Sequence, residues 1–447
     1  MAAASTLDNG NAPKAVQVAA AVIGNALEWY DFIVFGLLTV IVSHLFFPAH
    51  SQYASLLLAT ATFGVGFFMR PVGGILLGVY ADRYGRKAAL LLIIVLMTVA
   101  IAMIGFAPTY TAIGIAAPIL IVTARLLQGF ATGGEFAIAT AFLIESAPPH
   151  RRGFYGSWQM AGQGLAGLIG ALAGVLITRG LSPEALESWG WRIPFLFGLV
   201  IGPAGLFIRR YLDETEAFLA AQRAGPLKQT FLTTLATHTR ETLVSAGLVT
   251  SGTISFYVVL LYMPTFARTQ LNLPLDQAFF AQSISLVCMI PVIPLAGLLS
   301  DRIGRKPIII ASLALYLILT YPLFSWLHHN PSFGNLTIVQ IVLCCLLGAF
   351  FGPSSTAIAE QFGVQLRSTG LGIAYNLAVM IFGGFAQLFV TWLIEVTGSP
   401  IAPSFYVVFG AALGLVASLF LVEHGRDARL PELGSAAPCS KAAATAA

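Results

Sequence analysis

The chain has 447 residues, 57% of them apolar and 9% charged, with a mean hydropathy of +0.84. A soluble domain carries roughly 25% charged residues, so this chain cannot cover a water-facing surface. Its net charge of +4 is scattered over short segments between apolar runs, which speaks against nucleic acid as a partner. The four cysteines lack metal-ligand spacing and read as small buried hydrophobes.

The apolar runs are about 20 residues or longer, enough to cross a hydrocarbon core of about 30 Å. Lipid offers no partner to a backbone N–H or C=O, so each run must close its own hydrogen bonds as a helix. In chain order, residues 1–17 form a cytoplasmic tail with one cation, Lys14, and no cleavage site, so the first helix is retained. Six helices follow near residues 18–45, 54–81, 88–107, 114–143, 154–178 and 192–210, a first bundle over 18–210. A polar cytoplasmic linker at 211–240 leads to six more, near 241–267, 277–300, 307–327, 335–360, 369–396 and 402–422. These make a second bundle over 241–422, and residues 423–447 form a disordered cytoplasmic tail. The expected fold class is an all-α membrane protein with twelve transmembrane helices in two six-helix bundles. Lys and Arg crowd one side of that topology and leave only Arg179, Arg192 and Arg268 on the other. Cations in short loops stay in the cytoplasm, so both termini belong there.

The two bundles are related by a repeat. Gly78-Val-Tyr-Ala-Asp82-Arg83-Tyr-Gly85-Arg86-Lys87 recurs as Gly297-Leu-Leu-Ser-Asp301-Arg302-Ile-Gly304-Arg305-Lys306, offset by 219 residues. Each copy closes the second helix of its half. Glu145 with Arg151 and Arg152 is echoed by Glu360 with Arg367 after helix four of each half. Internal repeats of this kind build alternating-access transporters, with substrate held between the halves. Gly85 and Gly304 suit a turn that cannot bear a Cβ. Asp82 can face a helix N-terminus of the other half and latch the cytoplasmic side, a contact of about 0.3–1 kcal/mol or more if partly buried. Asp82, Arg83, Arg86, Glu145, Asp301, Arg302, Arg305, Glu360 and Arg367 are therefore the expected cytoplasmic gate.

A charge inside a bilayer is costly unless paired or hydrated, and is functional by default. Glu28 and Asp31 lie in helix one, Arg70 in helix two, Arg125 and Glu135 in helix four, whereas no charge falls near the middle of any span in the second half. At the repeat offset Arg125 corresponds approximately to Gln340. Glu28 and Asp31, three residues apart, share a helix face; two carboxylates that close resist joint ionisation, so Asp31, Glu28 or Glu135 is the expected proton carrier. All seven histidines sit at span ends, in loops or in the tail, which leaves the titration to carboxylates. Arg70 and Arg125 offer the fork that fits a carboxylate, or else organise the helices. Gln159 and Gln163 share a face of helix five, and Tyr375 and Asn376 lie on helix eleven; these four are expected to line the substrate site. Tyr257 and Tyr262 on helix seven are weaker candidates for that site, because aromatic residues near a span end commonly belong to the interfacial belt.

Six strings carry a resemblance over nearly the whole chain: Gly24-Asn25-Ala-Leu-Glu28-Trp-Tyr-Asp31-Phe32, Met69-Arg70-Pro71-Val-Gly73-Gly74, Arg125-Leu-Leu-Gln128-Gly129-Phe-Ala-Thr-Gly133-Gly134-Glu135, Arg152-Gly153-Phe-Tyr155-Gly-Ser-Trp158-Gln159, Trp189-Gly-Trp191-Arg192-Ile-Pro194-Phe195, and Tyr375-Asn376 with Phe382-Gly383-Gly384. Together they resemble the major facilitator superfamily, and within it the metabolite:proton symporters. The resemblance implies the major facilitator fold and inward proton-coupled transport, with no enzymatic activity and no cofactor beyond the coupling proton. It implies a monomer in the cell (inner) membrane whose partners are lipid and a small organic acid such as citrate or another di- or tricarboxylate. Shikimate, aromatic acids, or a betaine or proline osmolyte are the alternatives. The stretches after Arg152 and at Trp189 look like carboxylate-transporting members. The tail at 424–447 has no heptads, unlike the coiled coil of osmosensing members. One departure is Phe136-Ala137-Ile138 after Glu135, where many members carry further glycines.

Overall fold

The computed structural model describes residues 14–84, 86–133, 136, 140, 143–144, 147–200, 202–203, 238–362 and 367–423. The linker at 211–237, the tails at 1–13 and 424–447, and the expected turn at Gly85 lie outside the described residues, as do Glu135 and Glu145 and the side chains of Glu28, Asp82, Arg83, Arg86 and Arg367.

Helices account for nearly all of the described chain. Span one is α1 (Lys14–Leu37) and α2 (Thr39–Phe46); span two is α3 (Gln52–Phe68) and α4 (Arg70–Tyr84). Span three is α5 (Arg86–Gly105), span four opens with α6 (Ala116–Ala131), span five is α7 (Arg152–Gly180) and span six opens with α8 (Arg192–Gly198). Span seven joins α9 (Thr239–Ser255) through a π-helical turn at Phe256–Tyr262 to α10 (Met263–Gln270). Spans eight to ten are α11 (Leu275–Ile303), α12 (Arg305–His329) and α13 (Phe333–Glu360). Span eleven joins α14 (Arg367–Ala378) through a second π-helical turn, Val379–Gly383, to α15 (Ala386–Thr397), and span twelve is α16 (Ala402–Leu419). Among the described residues eight helices are long and apolar enough to cross a membrane, and α1 with α2 makes a bent ninth. Large apolar side chains such as Leu176, 72% exposed, point outward. A band of such residues is stable against lipid but not against water.

Chain composition sets where these helices start and break. Ser51 and Ser332 cap α3 and α13, each accepting from the backbone N–H three residues on, Ala54 and Asn335. The sequence places spans one, seven and eleven as single runs, and the structure interrupts all three. Span one bends by 65° at Leu38, where the Thr39 hydroxyl turns back toward the Gly36 carbonyl at 2.8 Å, a bond that competes with the helical ladder. The π turns at 256–262 and 379–383 rotate the side chains that follow them, and such bulges gather at functional sites.

Within the first half, spans two and four pack backbone to backbone. A Cβ on Gly129 would sit 1.6 Å from the Gly66 carbonyl oxygen, so only glycine fits there. Across the halves, spans five and eight lie against each other, and a Cβ on Gly297 would lie 2.6 Å from the Gly153 carbonyl oxygen. Spans one and seven, and two and eleven, complete the interface between the halves.

Candidate functional site

Two of the midspan charges meet through an amide. Gln128 lies one turn beyond Arg125 on α6; its Oε1 accepts from Arg125 Nη1 at 2.8 Å, and its Nε2 donates to Asp31 Oδ2 at 2.6 Å. Asp31 is 1% exposed and the other two are 0% exposed. The Arg125 fork also reaches the Phe63 carbonyl at 3.4 Å and lies 4.5 Å from the Phe32 ring and 4.6 Å from the Phe35 ring. Asp31 Oδ1 has no hydrogen-bond partner among the described residues. Gly198 approaches it so closely that a Cβ there would stand 2.7 Å away. An amide between the charges lengthens their separation and weakens their Coulomb attraction, which in so apolar a setting would otherwise hold them rigidly.

Arg70 is held differently. Its guanidinium lies 4.3 Å from the Phe67 ring centre, with Phe32 at 5.0 Å and Trp29 at 5.2 Å. The phenols of Tyr257 and Tyr375, both from the second half, are its polar neighbours. A cation over aromatic faces is stabilised by the ring quadrupoles, and the Arg70 Nε has no hydrogen-bond partner among the described residues.

A cavity of about 40 Å³ lies between the halves, room for a few waters, and Trp29, Tyr257 and Tyr375 separate it from Arg70. Trp29, Phe136, Met160 and Gln163 line it from the first half; Thr253, Phe256, Tyr257, Phe350, Phe351, Ser354, Ser355 and Tyr375 do so from the second. A solute needs more space, so the halves are drawn together here and must part to admit one.

Of the four neutral residues expected at the site, Gln163 and Tyr375 line this cavity. Gln159 does not. Its Oε1 accepts from the Thr140 hydroxyl and its Nε2 donates to the Phe136 carbonyl at 3.2 Å, so it bolts span five to span four. Asn376 also turns away, its Nδ2 donating to the Gly133 carbonyl at 2.9 Å. Arg125 is enclosed behind Phe32 and Phe35 rather than open to the cavity.

The gate residues of the second repeat copy form a network on the cation-rich face. Asp301 accepts from the backbone N–H groups of Gly153 at 2.8 Å and Phe154 at 2.9 Å, the first turn of α7 in the other half. Arg305 bridges Asp301 at 2.6 Å and Glu360 at 3.4 Å. Glu423, just past α16, accepts from the Arg305 N–H at 2.5 Å. Gly304, with φ of +103°, makes the turn beside it. Arg302 is exposed on the same face. The opposite face is closed by Gln387, whose Nε2 donates to the Gly36 carbonyl at 3.4 Å, and by the exposed pair Arg179–Asp276 at 3.1 Å. Arg192, beside that face, is tied to the Ala107 carbonyl at 3.0 Å and lies over the Trp191 ring.

The second half answers the Asp31 cluster with neutral groups. Gln340, the repeat counterpart of Arg125, donates to Gln282 Oε1 at 2.7 Å, and both are 0% exposed.

Gln128 and the ring pair Phe350–Phe351 go unremarked as site residues when the sequence is read alone. Gln128 stands three positions after Arg125, a spacing that puts it on the same face, and that was the available signal. Between the site and the belt, Tyr257 and Tyr262 fall on the inner side. Both are buried rather than interfacial, Tyr257 on the cavity wall and Tyr262 accepting a bond from Thr391, because the π turn rotates them inward.

Comparison with known proteins sets this geometry in a family. Residues 16–239 match the family described as sugar (and other) transporter, and residues 250–444 match the Major Facilitator Superfamily. A citrate-proton symporter of Klebsiella pneumoniae is 37% identical over 398 residues, covering 89% of each chain. A proline/betaine transporter of Escherichia coli is 33% identical, covering 93% of this chain and 85% of that one. A solved proton:xylose symporter has a TM-score of 0.74 at 20% identity, covering 92% of this chain and 96% of that one; it shares the fold of twelve transmembrane helices. These relatives are transporters, not enzymes.

Proposed function

The chain belongs to the major facilitator superfamily and is a multi-pass, proton-coupled symporter, and from that premise we propose that its cargo is a small organic acid taken up with a proton. The observation that carries this reading is Arg70, a cation held among rings beside the cavity shared by the two halves. Arg70 meets one carboxylate of the cargo, while Arg125 stays engaged with Gln128 and Asp31. One such cation suits an acid carried with little net charge, such as a monoanion or a partly protonated citrate, better than a trianion.

Asp31 is the coupling carboxylate in this reading. A proton arriving on its free Oδ1 neutralises the partner that Arg125 senses through Gln128, so spans one and four lose their electrostatic tie. Glu28 and Glu135 remain the alternative carriers. The cation-rich face is cytoplasmic and carries both termini; the Asp301 latch holds it shut until cargo and proton are aboard. Gln163 and the serines Ser354 and Ser355 supply hydrogen bonds to the cargo's neutral oxygens. A single chain is the working unit, and the proton is its only coupling partner.

A second reading has its own support. Trp29, Phe256, Tyr257, Phe350, Phe351 and Tyr375 surround the cavity with ring faces, a setting that suits an alkylated ammonium. A betaine would place its carboxylate at Arg70 and its ammonium among the rings. Proteoliposome uptake of citrate, shikimate, glycine betaine and proline under an imposed inward proton gradient separates the two. Gradient-driven entry of an acid supports the first. Saturable betaine entry unaffected by excess citrate replaces it with the second, and no gradient-dependent entry of any of the four refutes both.

A further inference from the structure

Phe136 of span four and Tyr375 of span eleven lie face to face, their ring centres 3.6 Å apart and their planes 5° from parallel. No other described ring pair is so close. The pair joins opposite halves, since the two residues come from different bundles. It also lies nearer the cation-rich face than the deeper cavity wall does: Tyr375 is about two turns into α14 from that face and Phe136 precedes the loop to α7, whereas Thr253 is about four turns into α9. Two parallel rings at van der Waals distance leave no path for a solute between them.

The same place carries two more ties. Asn376, next to Tyr375, donates to the Gly133 carbonyl. Gly133 lies so near α4 that a Cβ on it would stand 2.0 Å from the Arg70 carbonyl oxygen. The Tyr375 phenol faces the Arg70 guanidinium. One residue of span eleven therefore touches both the barrier and the cation that the proposed cargo engages.

We infer that the Phe136–Tyr375 stack is the inner barrier of the transport path, and that Tyr375 links it to the cargo. When a carboxylate takes the donors of Arg70, the phenol loses its polar partner. Span eleven then releases Phe136 and Gly133 together, and the cavity opens to the cytoplasm. Tyr375 is a positioning residue here, acting on the path through Arg70. The cargo-linked step rests on the organic-acid or betaine reading above, both of which place a carboxylate at Arg70; the barrier itself does not.

The test uses the full chain in inside-out vesicles, with its four cysteines replaced by serine and a single cysteine introduced by Thr253→Cys, on the cavity wall. Labelling by a membrane-impermeant maleimide reports access to the cavity from the cytoplasmic side. Without solute, Phe136→Ala should raise the labelling rate about three- to tenfold, the population shift expected from losing a stacked aromatic pair. Phe136→Leu, which refills the space, should raise it less. Equal rates in the parent and Phe136→Ala, both still active in solute exchange, would overturn the barrier. Citrate or glycine betaine should speed labelling in the parent but not in Tyr375→Phe, which keeps the ring and lacks the phenol. Equal acceleration in Tyr375→Phe would overturn the link through Arg70. Uptake under a proton gradient, measured separately, tells a wrong cargo from a wrong gate.

Discussion

Replacing Asp301 with asparagine should unlatch the cytoplasmic face. The carboxylate is 4% exposed, accepts two backbone N–H bonds at the start of a 29-residue helix in the other half, and pairs with Arg305 at 2.6 Å. Asparagine keeps one acceptor of similar size but removes the charge. Hydrogen bonds to a charged group contribute about 1.5–3 kcal/mol each, and an anion at a partly buried helix N-terminus up to about 2 kcal/mol. These terms overlap, and the retained amide oxygen recovers part of them, so a loss of about 2–3 kcal/mol from the closed state is expected. That corresponds to a shift of roughly 30- to 150-fold in the closed-to-open ratio. Spin labels at His150 and Ile303, exposed on the two sides of this contact, would report the separation by pulsed dipolar spectroscopy. The variant should move most of the distance distribution to a longer value. If the distribution matches that of the parent, the Asp301 contact does not hold the halves together and the reasoning fails.

Three further outcomes follow from other contacts. Asp31→Asn should abolish proton-driven accumulation while leaving solute counterflow measurable; accumulation at the parental rate would move proton coupling to Glu28 or Glu135. Gly129→Ala must push span four off span two, because its Cβ would meet the Gly66 carbonyl at 1.6 Å, so the melting temperature should fall by several degrees and purified yield with it, a cost of about 1–3 kcal/mol for overpacking. Arg179→Gln breaks a pair whose side chains are 48% and 29% exposed; such pairs contribute about 0–1 kcal/mol, so uptake should change by less than about fivefold and should respond little to added salt.

Much of the architecture was legible because lipid leaves few choices. Apolar length marks a helix, and loop cations mark its boundaries: the runs at 277–300, 307–327 and 335–360 appear as Leu275–Ile303, Arg305–His329 and Phe333–Glu360. The repeated Gly-x-x-x-Asp-Arg string likewise located a contact between halves, although the sequence did not say which helix end Asp301 would meet. What stayed illegible depends on rotation about helix axes. Tyr257 points into the cavity because a π turn begins at Phe256, and nothing in the run Phe256–Tyr262 announces an extra residue per turn. Gln159 and Gln163 share a face by spacing, yet Thr140 and the Phe136 carbonyl capture the first and leave only the second to the cavity. Asp31 and Arg125 were conspicuous as charges, while the neutral amide between them was not.

The pairing of Gln340 with Gln282 in place of an ion pair bears on the electrical work of the cycle. Carrying one elementary charge across a membrane is worth about 2.3 kcal/mol per 100 mV. Spans seven to twelve hold no Asp, Glu, Lys or Arg near their middles, so their rocking moves no formal charge through the steep part of that field. The voltage dependence of uptake is then set by the first bundle, its proton and the charge on the cargo. If a proton enters with a monoanion the electrical term nearly vanishes, and if it enters with a zwitterion one positive charge moves inward. Current per solute, less the protons counted entering with it, thus gives the cargo's charge without first knowing its identity.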